Sequence, residues 1–128
     1  MSAIKSIPVL ALAERAKAAV EAYGVTLRRE RRERPEQGHT MISSFRVDAV
    51  AVLGELQRAL SKAPWAYLEI ESPRTEGRPP QPRRLRELVW EIERDVSLGT
   101  VGVREVQDMG LVLARICGRL AVRAAEVA

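Results

Sequence analysis

Apolar residues return along this chain at helical spacing for most of its length and alternate with polar ones in one short stretch. Val9, Leu12, Ala13, Ala16, Val20 and Tyr23 sit three and four residues apart, which gathers them on one face of a helix. Ser6 stands at a capping position, Pro8 in the first turn, and Gly24 at a natural stop. The pattern predicts a helix over about 8–23. Ala49, Val52, Leu53, Leu56, Leu60 and Ala63 form a second stripe and predict a helix over about 48–62, closed before Pro64. Leu85, Leu88, Val89, Ile92 and Val96 predict a third over about 83–96, and a fourth runs over about 103–126.

Trp65–Glu71, WAYLEIE, alternates apolar and polar residues and is the best strand candidate. Residues 25–46 admit two readings. In one, Leu27–Arg34 is a short helix ended by Pro35. In the other, Val25–Glu33 and His39–Arg46 are the arms of a hairpin. The hairpin is favoured, because HTMISSFR has poor helix propensity and charged residues on an edge strand block aggregation. Its second arm could pair with 66–71. Residues 72–83, SPRTEGRPPQPR, read as a Pro-rich loop between a mixed N-terminal part and a helical C-terminal part of a single domain, 1–128. The expected fold is α+β and helix-dominated, with about four helices and a small antiparallel sheet near 39–46 and 66–71.

Composition agrees with helices. The apolar fraction is 46%, mostly Ala, Val and Leu, with only two Trp, two Tyr and one Phe. At 128 residues the chain is long enough to bury a real core. A net charge of +4 permits a polyanionic partner without requiring one. Cys117 stands alone, so no disulfide can form within the chain, and a reducing compartment suits it. The N-terminal apolar run is broken early by Glu14 and Arg15, and no segment is long and apolar enough to span a bilayer. A cytoplasmic protein without membrane contact is expected.

The residues that could carry chemistry are few. His39 and Cys117 are the only imidazole and thiol, so no soft-metal site can be assembled from them. His39 with Ser43, Ser44 and Asp48 lacks the local signature of a catalytic triad. No glycine-rich phosphate cradle is present, and neither enzyme activity nor a cofactor is expected. Leu27–Arg34, LRRERRER, follows a turn-like Gly24-Val25-Thr26, but Glu30 and Glu33 occupy the positions that would pack a DNA-reading helix inward. It reads as a solvated charged face. Arg28, Arg29, Arg31 and Arg32, together with Arg83 and Arg84 of a second cluster spanning Arg74–Arg86, could still hold phosphates by charge if the fold joined them. No aromatic residue lies within either cluster for base stacking. Pro79–Arg84 matches a polyproline ligand pattern that any Arg- and Pro-rich loop produces.

The fourth helix is the most informative. Val106, Leu113, Leu120 and Val127 recur every seven residues, with Gly110, Cys117 and Ala124 between them. This is a seam with one large and one small layer. Gly110, Ala114 and Gly118 also recur at i,i+4. The seam could pack on the 83–96 helix of the same chain or pair with another protein. Trp90 lies off its helix's apolar stripe, between Arg86 and Arg94, as an interface anchor or a lid over the core edge. Trp90, Val106, Gly110, Leu113, Cys117, Gly118, Leu120 and Ala124 are the candidate partner-binding or self-association residues. The expected function is a small accessory, adaptor or inhibitor protein, of a size that a bacterium or phage would carry. It would act through protein–protein contact, with self-association expected and charge-driven nucleic-acid binding as the alternative.

Overall fold

A computed structural model of the chain describes residues 2–33, 39–71 and 79–127, with side chains over 8–29, 44–71 and 79–126. These residues form helix α1 (Ser2–Glu33), helix α2 (His39–Leu60), strands β1 (Glu69–Glu71) and β2 (Pro82–Arg84), helix α3 (Leu85–Leu98) and helix α4 (Val103–Val127). The architecture is helix-dominated α+β. α1 packs against both α4 and α2, α2 packs against α3, and α3 and α4 touch only lightly.

α1 runs straight through Gly24, which is no stop. Its buried residues are Val9, Ala13, Ala16, Val20, Tyr23 and Leu27. The three-four spacing thus continues past the glycine to Leu27, and burial there outweighs the strand preference of Val25 and Thr26. The Thr26 hydroxyl donates to the Ala22 carbonyl at 2.9 Å, which keeps that polar group satisfied inside the helix. Gly24 serves another purpose. A Cβ built on it would lie 3.0 Å from Val106 Cγ1, so the missing side chain lets α1 and α4 approach closely.

The hairpin expected over 25–46 is overturned. Val25–Glu33 completes α1, and His39–Arg46 opens α2. Ala49, Leu53, Leu56 and Leu60 are fully buried, and half-buried Phe45 packs against the core one turn earlier. That added anchor extends the helix into a segment whose local propensity is weak. The 48–62 prediction therefore starts too late.

The small sheet exists, with a different second strand. Glu69, Ile70 and Glu71 face Arg84, Arg83 and Pro82 in antiparallel register, so β2 takes the place expected for His39–Arg46. Only the end of WAYLEIE is strand. The Trp65 and Ala66 amides both donate to the Lys62 carbonyl, at 2.9 and 3.1 Å, winding the chain into turns first. Trp65 and Leu68 are buried within them. Of the Pro-rich loop expected over 72–83, residues 72–78 lie outside the described residues, and 82–84 are strand β2.

α3 buries Leu85, Leu88, Val89, Ile92 and Val96, the predicted stripe. It ends at Gly99, whose φ of 70° is left-handed and whose amide donates back to the Val96 carbonyl. α4 begins with a one-sided cap and its first helical bond. The Gly102 amide donates to the Glu105 carboxylate, and the Val106 amide donates to the Gly102 carbonyl at 3.1 Å. One apolar cluster draws on all four helices and on Trp65 and Leu68.

Candidate functional site

The large layer of the α4 seam is an internal joint. Val106, Leu113 and Leu120 are at most 1% exposed, and Met109, Val112 and Ile116 are buried beside them. The main neighbour is α1, and the 83–96 helix named as the intrachain candidate is only lightly touched. Gly24 lies against Val106 and Glu21 against Gly110, so the two helices run antiparallel. In the small layer Gly110 is buried, whereas Cys117 and Ala124 are half-buried. The side chain of Val127 lies outside the described ones. Burial pushes the Cys117 thiol above its ordinary pKa, Glu14 adds to the rise, and Lys17 opposes it. The thiol is held protonated at neutral pH.

Because Gly24, Gly110 and Ala114 present little or no side chain, a groove of about 420 Å³ opens along the outer edge of this joint. Val25 of α1 and Leu111 of α4 form apolar parts of its lining, and they are 66% and 67% exposed. Val106 contributes to the floor, with Lys17, Glu21, Arg28 and Gln107 among the remaining lining residues. Lys17 Nζ meets Glu21 Oε1 at 2.8 Å, which raises the lysine pKa through the hydrogen bond and the charge. Gly118 lies farther along α4, exposed, and a Cβ on it would meet nothing within 4 Å. A mid-helix glycine costs about 1 kcal/mol against alanine. A Cβ on Gly110 would rest in ordinary contact with Glu21 Cγ at 3.7 Å, so neither glycine is required by an intrachain clash.

The charged residues sort into two regions. Arg83 donates to Glu91 twice, at 2.9 and 2.6 Å, and also reaches Glu87 at 3.9 Å. Arg84 lies over the Tyr67 ring at 5.4 Å, and Arg94 over Trp90 at 5.1 Å. Trp90 is 51% exposed, outward as its place off the stripe implied. With Gln57, Arg83, Arg86, Glu87 and Glu91 it lines a second hollow of about 330 Å³. The cations here are largely neutralised by carboxylates or stacked on rings. Tyr67 beside Arg84 is an aromatic–arginine contact that sequence reading missed, because the β1–β2 pairing alone brings them together.

Arg28 and Arg29 lie elsewhere. Arg28 lines the groove beside Val106 and Gln107 in the first turns of α4, which follow the C-terminal end of α3. Arg83 and Arg84 immediately precede the other end of α3, a helix about 20 Å long. Among the described residues, Arg28 and Arg29 are therefore not brought to Arg83 and Arg84. The side chains of Arg31, Arg32 and His39 lie outside the described ones, as do Arg74 and Arg78. Among the described residues no three His, Cys, Asp or Glu side chains converge on a metal position, and no helix is long and apolar enough to cross a membrane.

No family model, curated protein or solved structure matches this chain.

Proposed function

We propose that this protein is a non-enzymatic binding module that docks a helix of a partner protein in the α1–α4 groove. The observation that carries the reading is the pair Val25 and Leu111, both two-thirds exposed on the lining of one groove. Fully burying a Val or Leu side chain is worth about 1.5–3 kcal/mol. Covering what these two still expose would contribute roughly 2–4 kcal/mol before the cost of association. The grooves that accept amphipathic helices have this form, an apolar floor with a polar rim. We take the module to act in the cytoplasm as an accessory, adaptor or inhibitor, where a lone thiol such as Cys117 stays reduced.

Photo-crosslinking tests this in living cells. A benzophenone amino acid replacing Leu111 should yield a discrete protein adduct, and the same probe replacing exposed Arg58 on α2 should not. Identical adduct patterns from the two positions would refute docking at the groove.

A second reading rests on Arg28, Arg29 and Arg104, which have no carboxylate partner among the described residues. Such cations could hold nucleic-acid phosphates. That reading requires binding to duplex DNA or RNA whose affinity falls steeply with salt, by about 0.9 in log–log slope for each phosphate contact on DNA. Loss of adducts at Leu111 after nuclease treatment would favour it over a direct protein contact.

A further inference from the structure

The charge around the groove limits what can occupy it. Among the described side chains of α1 and α4 two ion pairs form, Lys17 with Glu21 and Arg123 with Glu126. Arg15, Arg28, Arg29, Arg104, Arg115 and Arg119 have no such partner among the described residues. Among the described side chains the remaining carboxylates on these helices are Glu14, Glu105 and Asp108, and Glu105 already holds the Gly102 amide; Glu30 and Glu33 of α1 lie outside the described side chains. The groove therefore lies on a surface with a clear excess of unpaired cations. α3 is the opposite case, with Glu87, Glu91, Glu93 and Asp95 against Arg86 and Arg94.

We propose that the occupant of the α1–α4 groove is an acidic amphipathic helix, apolar on the side that meets Val25 and Leu111 and carrying Glu or Asp toward Arg28 at one end and Arg115 on the α4 side. This rests on the docking reading above and adds the partner's chemistry. Dimensions agree: from Lys17 to Arg28 the α1 wall spans about 16 Å, three turns of a bound helix, enough for anchors at i, i+3 or i+4, and i+7. Charge complementarity selects the sign. A basic helix would set its cations against Arg28, Arg29 and Arg115, whereas an acidic one is steered in and finds partners for them. A nucleic acid satisfies the charge and leaves the apolar lining unused, since among the described residues no aromatic side chain lines the groove for base stacking.

The test is selection from a display library of amphipathic helical peptides about 16 residues long, in which polar positions vary freely among Glu, Lys, Gln and Ser. The wild-type protein is the bait, and Leu111→Asp is the counter-bait. The expected result is enrichment of peptides with net negative charge and an apolar i, i+3/i+4, i+7 stripe, lost on Leu111→Asp. A selected peptide should bind about tenfold more weakly to the double variant Arg28→Gln, Arg115→Gln. Groove-dependent enrichment of neutral or basic peptides would keep the docking reading and overturn the acidic partner. Absence of any enrichment that depends on Leu111 would overturn both. Light scattering on the same samples covers a second copy as occupant: a wild-type dimer that becomes monomeric in Leu111→Asp also overturns the acidic partner.

Discussion

α4 presents two apolar faces with opposite fates. Val106, Leu113 and Leu120 are sealed against the core, while Leu111 and Val122, on the other side of the same helix, are 67% and 54% exposed. Gly110 and Gly118 repeat the contrast in one residue type. Glu21 lies within contact distance of a Cβ built on Gly110, and open space surrounds the same position on Gly118. A heptad of large and small residues shows that a helix will be covered on that face. It does not show by what. Here the large layer of the seam is buried inside the chain, and the less regular outer face stays exposed.

The contrast is broken most forcefully by truncating one leucine on each face. Leu113→Ala should cost about 2–5 kcal/mol in urea unfolding, because the side chain is fully enclosed and its neighbours can relax only in part. Leu111→Ala should stay within about 0.5 kcal/mol of wild type, as exposed positions do. Equal losses would show that the outer leucine belongs to the core. The glycines should differ in sign. Gly24→Leu should destabilise by about 1–3 kcal/mol, since even its Cβ presses on Val106 and the rest of the side chain overfills the joint. Gly118→Ala should raise stability by roughly 0.5–1 kcal/mol through helix propensity alone, as nothing stands in the way of a methyl group. Thermal or urea melts of the two variants read both effects.

These contrasts also explain what the sequence could convey. α3 was legible almost to its ends, since its stripe is regular and Gly99 supplies a true left-handed stop. α1 was cut short because Gly24 has the residue type of a stop, although Leu27 continues the three-four spacing from Tyr23. Phe45, one turn before Ala49, carried the same message for α2 against the weak propensity of HTMISSFR. β2 left no pattern to find: Pro82-Arg83-Arg84 becomes a strand only because Glu69–Glu71 is beside it. Among the candidate site residues, Trp90 is 51% exposed, in keeping with its position off the stripe, and Gly110 lines the groove. Val25 and Leu111 could not be paired in advance. They lie far apart in sequence, and their meeting depends on the antiparallel packing of α1 on α4.

Smaller effects sharpen the division between the groove and the α3 surface. Trp90→Ala should lower stability by about 0.5–1 kcal/mol, the worth of an exposed cation–π contact with Arg94. It should leave peptide binding at the groove unchanged, and titration calorimetry separates the two consequences. A loss of groove affinity would make α3 part of the same interface.

Cys117 gives the least perturbing probe. Its thiol pKa is raised in the folded protein, so the stabilising contribution of the protonated form is complete below the ordinary thiol value of 9.0 and fades as pH climbs through and beyond it. At pH 7 its alkylation by iodoacetamide should be slower in the folded protein than in urea. Equal rates would mean that the α1–α4 joint is open around Cys117.

Groove docking is decided by the dissociation constant of a peptide selected on the groove, measured for wild type and Leu111→Asp, with the urea midpoint of each recorded alongside. Binding should weaken by about tenfold or more while the midpoint moves little, because Leu111 is exposed on the groove and lies outside the core. Undiminished binding to Leu111→Asp would contradict groove docking, and so would a midpoint that collapses together with the affinity.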